Sequence, residues 1–186
     1  MHLNKEFFLV PNLISFARLL LTIPVCLLIV NSYESQNTLI IGLVLCMYLS
    51  DLLDGYLARR NSQVSEFGKI IDPLADKIAV ISISLALLYI GKLPLWFFTI
   101  IALRDILIMA FGIYLNNSKD IRLMSNFPGK AAVFSIGLVI LFTLIDNPAL
   151  SMLTNTLYFV SIVLILYSSY LYFRRYLEAV HGKKAD

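Results

Sequence analysis

Residues 38–58, TLIIGLVLCMYLSDLLDGYLA, and 69–91, KIIDPLADKIAVISISLALLYIG, are two apolar runs joined by the polar stretch RRNSQVSEFG at 59–68. A helix needs roughly 20 predominantly apolar residues to cross the hydrocarbon core of a bilayer, and each run is that long. The polar connection between them is short enough to make the two helices antiparallel neighbours. Outward from this pair lie four more apolar stretches, at about 12–31, 94–115, 129–146 and 150–173. They leave short connections and no room for a soluble module. The expected fold is therefore all-α, a polytopic membrane bundle of six transmembrane helices forming a single domain over residues 1–186.

Composition agrees. Of 186 residues, 59% are hydrophobic and 15% charged, with a mean hydropathy of +0.82. Soluble domains carry about 25% charged residues, so a water-soluble protein and a disordered one are both excluded. The net charge of +3 is too mild to call for nucleic acid. Cys26 and Cys46 lie in apolar runs and read as small core residues. No Cys/His metal spacing, internal repeat or linker is visible. The first apolar stretch is long, carries Arg18 and lacks a small-residue cleavage pattern, so it is expected to be retained rather than removed as a signal peptide.

Basic residues set the orientation. With the N-terminus, the 59–69 and 116–130 connections and the C-terminus on one side, that side holds Lys5, Arg59, Arg60, Lys69, Lys119, Arg122, Lys130, Arg174, Arg175, Lys183 and Lys184, and the other only Lys92. Both termini are thus expected to be cytoplasmic. Phe7 to Val10, flanked by Lys5 and Glu6 and followed by Pro11, suit a short N-terminal interfacial segment. Pro24 and Pro73 are expected to kink their helices. Met47, Tyr48 and Met109 read as packing residues, and most of the aromatic residues as lipid contacts.

Five aspartates lie in or at the spans: Asp51, Asp54, Asp72, Asp76 and Asp105. Charges there are costly and mark function. Asp51, Asp54, Gly55 and Ala58 share one helix face, as do Gly68, Asp72 and Asp76. Across a hairpin the two faces point at each other, with small residues leaving room for a ligand. Clustered carboxylates repel unless compensated, and an all-oxygen set suits Mg²⁺ or Mn²⁺, two ions forming a clamp for phosphoryl chemistry. Helix-end carboxylates solvated by headgroups, or a cation-transport path, are the alternatives.

Written as a pattern, residues 51–76 are D-x2-D-G-x2-A-R-x8-G-x3-D-x3-D. This resembles the full signature of the CDP-alcohol phosphatidyltransferases. PNLISFARLL at 11–20 and DPLADKIAV at 72–80 resemble its glycerol-phosphate and cardiolipin-forming branches. The resemblance implies a six-helix, homodimeric enzyme of a bacterial inner membrane, its site facing the cytoplasm. It would transfer a phosphatidyl group from CDP-diacylglycerol to an alcohol and release CMP. Carried over by position, Asp51, Asp54, Asp72 and Asp76 would hold the metal, with Asp76 also the base for the acceptor hydroxyl. Asn12, Asp54, Gly55, Ala58, Arg59 and Gly68 would form the CDP site. No covalent nucleophile stands out, so direct displacement is expected. The single His181-x-Lys183 lacks the spacing and second copy that another class of phosphatidyl transfer uses.

An anionic acceptor needs cations, and Arg18, Lys77, Arg104 and Lys130 are the candidates. Alternatively Arg104 pairs with a nearby Asp, while Lys77 and Lys130 snorkel to headgroups. Glycerol-3-phosphate is the expected acceptor, giving phosphatidylglycerophosphate. DPLADK followed by GKLPLW favours it. Arg104-Asp105 and the Thr-less GKAAV at 129–133 depart from that branch, so phosphatidylglycerol (cardiolipin synthesis) and an inositol phosphate are alternatives.

Overall fold

The computed structural model describes the backbone of residues 10–60, 68–119 and 127–180; within these, the side chains of 10–11, 51–60, 68–70, 72–73, 111–119 and 178–180 are outside the described set. The interfacial segment expected before Pro11 falls outside it too. Every regular element among the described residues is helical: α1 Val10–Arg60, α2 Gly68–Tyr89, α3 Leu95–Lys119, α4 Phe127–Ile145 and α5 Ser151–Val180, the last preceded by a 3-10 turn at Pro148–Leu150. The chain divides into two compact units, before and after Leu93–Pro94.

In the first unit, α1 would extend about 76 Å if straight. Two contacts show that it is not. Arg18 pairs with Asp76, and Lys92 Nζ stands 5.3 Å from the centre of the Tyr33 ring. The opening leg of α1 and α2 therefore run in the same direction, and their first turns lie at one end. The link of residues 61–67 spans at most about 25 Å, whereas a straight α1 would carry Arg60 more than about 60 Å from that end. The reversal lies where the backbone leaves helical geometry, at Ser32 (φ −142°, ψ 24°) and Gln36 (φ −126°, ψ 23°). Residues 37–60 form a return leg, antiparallel to both neighbours, as the separate stretches 12–31 and 38–58 predict.

Packing follows helical periodicity. Asn12, Ser15, Arg18, Thr22, Val25 and Ile29 are buried along one face of the opening leg, while Leu20, Ile23 and Leu27 are exposed on the other. The return leg buries Ile40 and Met47, and α2 buries Ala75, Ala79, Ile83 and Ala86. Alanines let helix backbones approach closely where lipid supplies no hydrophobic drive to associate. After Tyr89 the amide of Gly91 bonds the Leu88 carbonyl (3.0 Å) and that of Lys92 the Leu87 carbonyl (2.9 Å). This C-cap needs a left-handed residue, and Gly91 supplies it with φ +75°.

In the second unit α4 packs on α5, and both bury small residues: Gly129, Ala132 and Ser135 on α4, Ser161 and Ser168 on α5. Thr143 Oγ1 lies 3.2 Å from Tyr158 OH, and the Tyr158 ring meets Phe97 of α3 edge-on, with centroids 4.7 Å apart.

Three described segments are long and apolar enough to cross a membrane: Asn12–Ser50, Phe127–Ile145 and Pro148–Leu177. The first spans 39 residues, about 58 Å as continuous helix and nearly twice a bilayer's hydrocarbon thickness; the reversal at Ser32–Gln36 divides it.

Three side-chain expectations are corrected. Cys46 is exposed and Cys26 only half-buried, and Met109 is 49% exposed. In helices that are apolar all round, an apolar residue need not face the protein. Met47 is buried as expected. Pro24 sits within α1 and its own dihedrals are helical; the non-helical residues are Ser32 and Gln36.

Candidate active site

The shared end of the opening leg and α2 is polar. Along the buried face of α1 the order is Asn12, Ser15, Arg18 and Thr22 first, then Val25, Ile29 and Tyr33, so one face changes character halfway along. A buried arginine in an apolar helix demands a counter-charge. Arg18 Nη1 donates to Asp76 Oδ1 across the interface with α2. Arg18 is 3% exposed and the Asp76 side chain 40%. Thr22 Oγ1 donates to the Arg18 carbonyl (2.8 Å), a tie within the helix.

The other three motif aspartates belong to the same end. Asp51 and Asp54 are in the last turns of the return leg, and Asp72 is in the second turn of α2. Helical register continues the packed faces into them. Position 54 is one heptad beyond buried Met47, and position 72 one heptad before buried Ala79. Two heptads of helix advance about 21 Å and return almost to the same face. Positions 54 and 72 thus keep the helical register of the buried residues Met47 and Ala79, and of the four aspartates it is the Asp76 side chain that is described. The side chains of Asp51, Asp54, Gly55, Ala58, Arg59, Gly68 and Asp72 are outside the described set.

The donor set fits a hard divalent cation: carboxylate oxygens from two helices, with no imidazole or thiolate in the motif. Mg²⁺ and Mn²⁺ favour such sites, completed by water and substrate phosphate.

The remaining cations divide. Lys77, next to Asp76 on α2, is half-buried. In the second unit Arg104 and Asp105 are buried at 7% and 8% exposure. Arg104 Nη1 donates to Asp105 Oδ1 at 2.8 Å, and Nη2 to the Gly129 carbonyl at 3.4 Å. The alternative in which Arg104 pairs with a nearby Asp is what the structure contains. Arg104 Nε has no hydrogen-bond partner among the described residues. Lys130, beside Gly129, is exposed.

Residues 8–168 match the CDP-alcohol phosphatidyltransferase family. The chain belongs to that family. It is 37% identical over 166 residues to a CDP-diacylglycerol–glycerol-3-phosphate 3-phosphatidyltransferase of Aquifex aeolicus, covering 86% of this chain and 90% of the relative. It is 34% identical to a CMP-forming cardiolipin synthase of Streptomyces coelicolor, over 68% of this chain and 60% of the relative. With a probable CMP-forming cardiolipin synthase of Drosophila melanogaster it shares 36% identity over 55% of its length and 31% of that protein's.

This CDP-alcohol phosphatidyltransferase is therefore a transferase of phospholipid biosynthesis, built from helices apolar enough for a membrane. Sequence reasoning missed the polar half of the opening leg, Ser15 and Thr22 beside Arg18. Their spacing with Asn12 is helical, so the signal was present. It also missed that Arg18 answers Asp76, a pairing across 58 positions that no local pattern announces.

Proposed function

We propose that the enzyme transfers the phosphatidyl group of CDP-diacylglycerol to glycerol-3-phosphate, forming phosphatidylglycerophosphate and releasing CMP. The observation that supports this reading is the Arg18–Asp76 pair at the shared end of the opening leg and α2, the helices whose sequence carries the other motif aspartates. Asp51, Asp54, Asp72 and Asp76 would hold Mg²⁺ or Mn²⁺, two ions in all. When bound, these ions supply charge that neutralises the diphosphate and stabilises the departing CMP. Arg59 binds diphosphate oxygens with a delocalised charge, and Asn12, Asp54, Gly55, Ala58 and Gly68 shape the nucleotide site. Asp76 takes the proton of the acceptor hydroxyl. The hydroxyl oxygen bonds to the phosphatidyl phosphorus as the bond from that phosphorus to the CMP oxygen breaks, in a single displacement. Lys77, beside Asp76, would supply a cation for an acceptor phosphate, and Arg104 and Lys130 are the further candidates for that role.

The same proposal takes the chain as six spans with both termini cytoplasmic, in a bacterial inner membrane and as a homodimer. The division of α1 into two legs supports the even count, and the basic residues gathered on one side support the orientation. Similarity over 90% of the length of the Aquifex enzyme favours glycerol-3-phosphate. A second acceptor, phosphatidylglycerol, is favoured by the cardiolipin synthase relatives.

Purified protein given CDP-diacylglycerol, Mg²⁺ or Mn²⁺ and, separately, glycerol-3-phosphate, phosphatidylglycerol or inositol phosphate is expected to release CMP fastest with glycerol-3-phosphate. Release with phosphatidylglycerol alone would move the enzyme to cardiolipin synthesis.

A further inference from the structure

We propose that Arg18 is a positioning residue for Asp76 and does not itself bind the acceptor. This rests on Asp76 serving as the base. Arg18 is 3% exposed, so its guanidinium has almost no surface to offer a soluble phosphate, whereas the Asp76 side chain is 40% exposed. The bond from Arg18 Nη1 to Asp76 Oδ1 fixes the carboxylate's rotation while leaving the side chain accessible to substrate. Arg18 is itself held. It stands between buried Ser15 and Thr22, and Thr22 Oγ1 bonds its carbonyl. The opening leg of α1 sets the place of Arg18, and Arg18 sets the aim of Asp76. A base must lie within hydrogen-bond reach of the proton it removes, and a misplacement of about 1 Å costs about 100-fold in rate.

The test is steady-state CMP release with saturating CDP-diacylglycerol and Mn²⁺, titrating glycerol-3-phosphate and normalising rates to the donor-binding capacity of each preparation. Arg18→Gln is expected to lower kcat about 100-fold and leave the acceptor KM within about twofold. Arg18→Lys keeps the charge but loses the planar fork, and is expected to recover about a tenth of wild-type kcat. The same Arg18 changes made in an Asp76→Glu background, where a longer carboxylate no longer needs that seat, are expected to cost less than about threefold further.

An acceptor KM raised tenfold or more with kcat held would make Arg18 an acceptor ligand and overturn the proposal. So would an equal cost of Arg18 loss in the wild-type and Asp76→Glu backgrounds. If Arg18→Gln fails to fold, Arg18→Lys carries the same comparison. Failure of the underlying assignment looks different: Asp76→Asn would then keep wild-type kcat, whatever the Arg18 variants do.

Discussion

Asp76→Asn lowers kcat for CMP release by about 10²- to 10⁴-fold, the usual contribution of a positioned general base. The substitution keeps the size of the side chain and its ability to accept a hydrogen bond from Arg18. It removes the negative charge and the capacity to take a proton. Because one oxygen is retained opposite Arg18 Nη1, the helix interface survives and the loss falls on the chemical step. Donor binding, measured as retention of CDP-diacylglycerol by the purified variant, is expected to fall far less than kcat. A variant with wild-type kcat would remove Asp76 from the role of base. One that no longer folds would show the ion pair to be chiefly structural, and Asp76→Glu then separates charge from reach.

The second large effect is on stability. Asp105→Leu is expected to cost about 3 kcal/mol, because it strands the buried Arg104 guanidinium whose Nη1 it now pairs at 2.8 Å. The insertion cost of an arginine at a helix centre, roughly 2.5–3.5 kcal/mol, gives the same size. Replacing both partners, Arg104→Met with Asp105→Leu, is expected to recover most of the loss, since a buried ion pair often exchanges for apolar side chains without penalty. The midpoint of unfolding in mixed micelles of rising SDS content reads both. The recovered double variant then isolates acceptor binding: if Arg104 contacts the acceptor phosphate, the acceptor KM rises although the protein is stable. A single Asp105→Leu variant as stable as wild type would show that Arg104 needs no counter-charge where it lies.

The elements were legible because each apolar stretch is about as long as a bilayer is thick and ends in polar residues. NSYESQN at 31–37 is such an end, and the non-helical residues Ser32 and Gln36 fall inside it. Pro24 lies within the opening leg, eight residues before Ser32, and the non-helical dihedrals fall in the polar cluster. Inside and outside were less legible. In a soluble helix Cys46 and Met109 would face the core, but in lipid the outward face is equally apolar, and both lie on it. Register did better where polarity marked one face, as with Asn12, Ser15, Arg18 and Thr22.

The carboxylate cluster was visible as a pattern because its residues fall on two adjacent helices within 26 positions. The pairing of Arg18 with Asp76 was not, since it depends on α2 lying beside the opening leg of α1 in the same direction. Arg104 shows the converse: its partner is its own neighbour in sequence, so pairing was one of the two alternatives the residues themselves offered.

The proposed metal-dependent phosphatidyl-transfer site lies at the aspartate-bearing ends of α1 and α2. It is tested most directly by following CMP release from CDP-diacylglycerol and glycerol-3-phosphate in chelator-stripped protein as Mn²⁺ is titrated back, beside an Asp72→Asn variant. The expected result is no release without the ion, saturable recovery in the wild type, and no recovery in the variant across that range. CMP release that persists in metal-free protein, or an Asp72→Asn response matching the wild type, would contradict it.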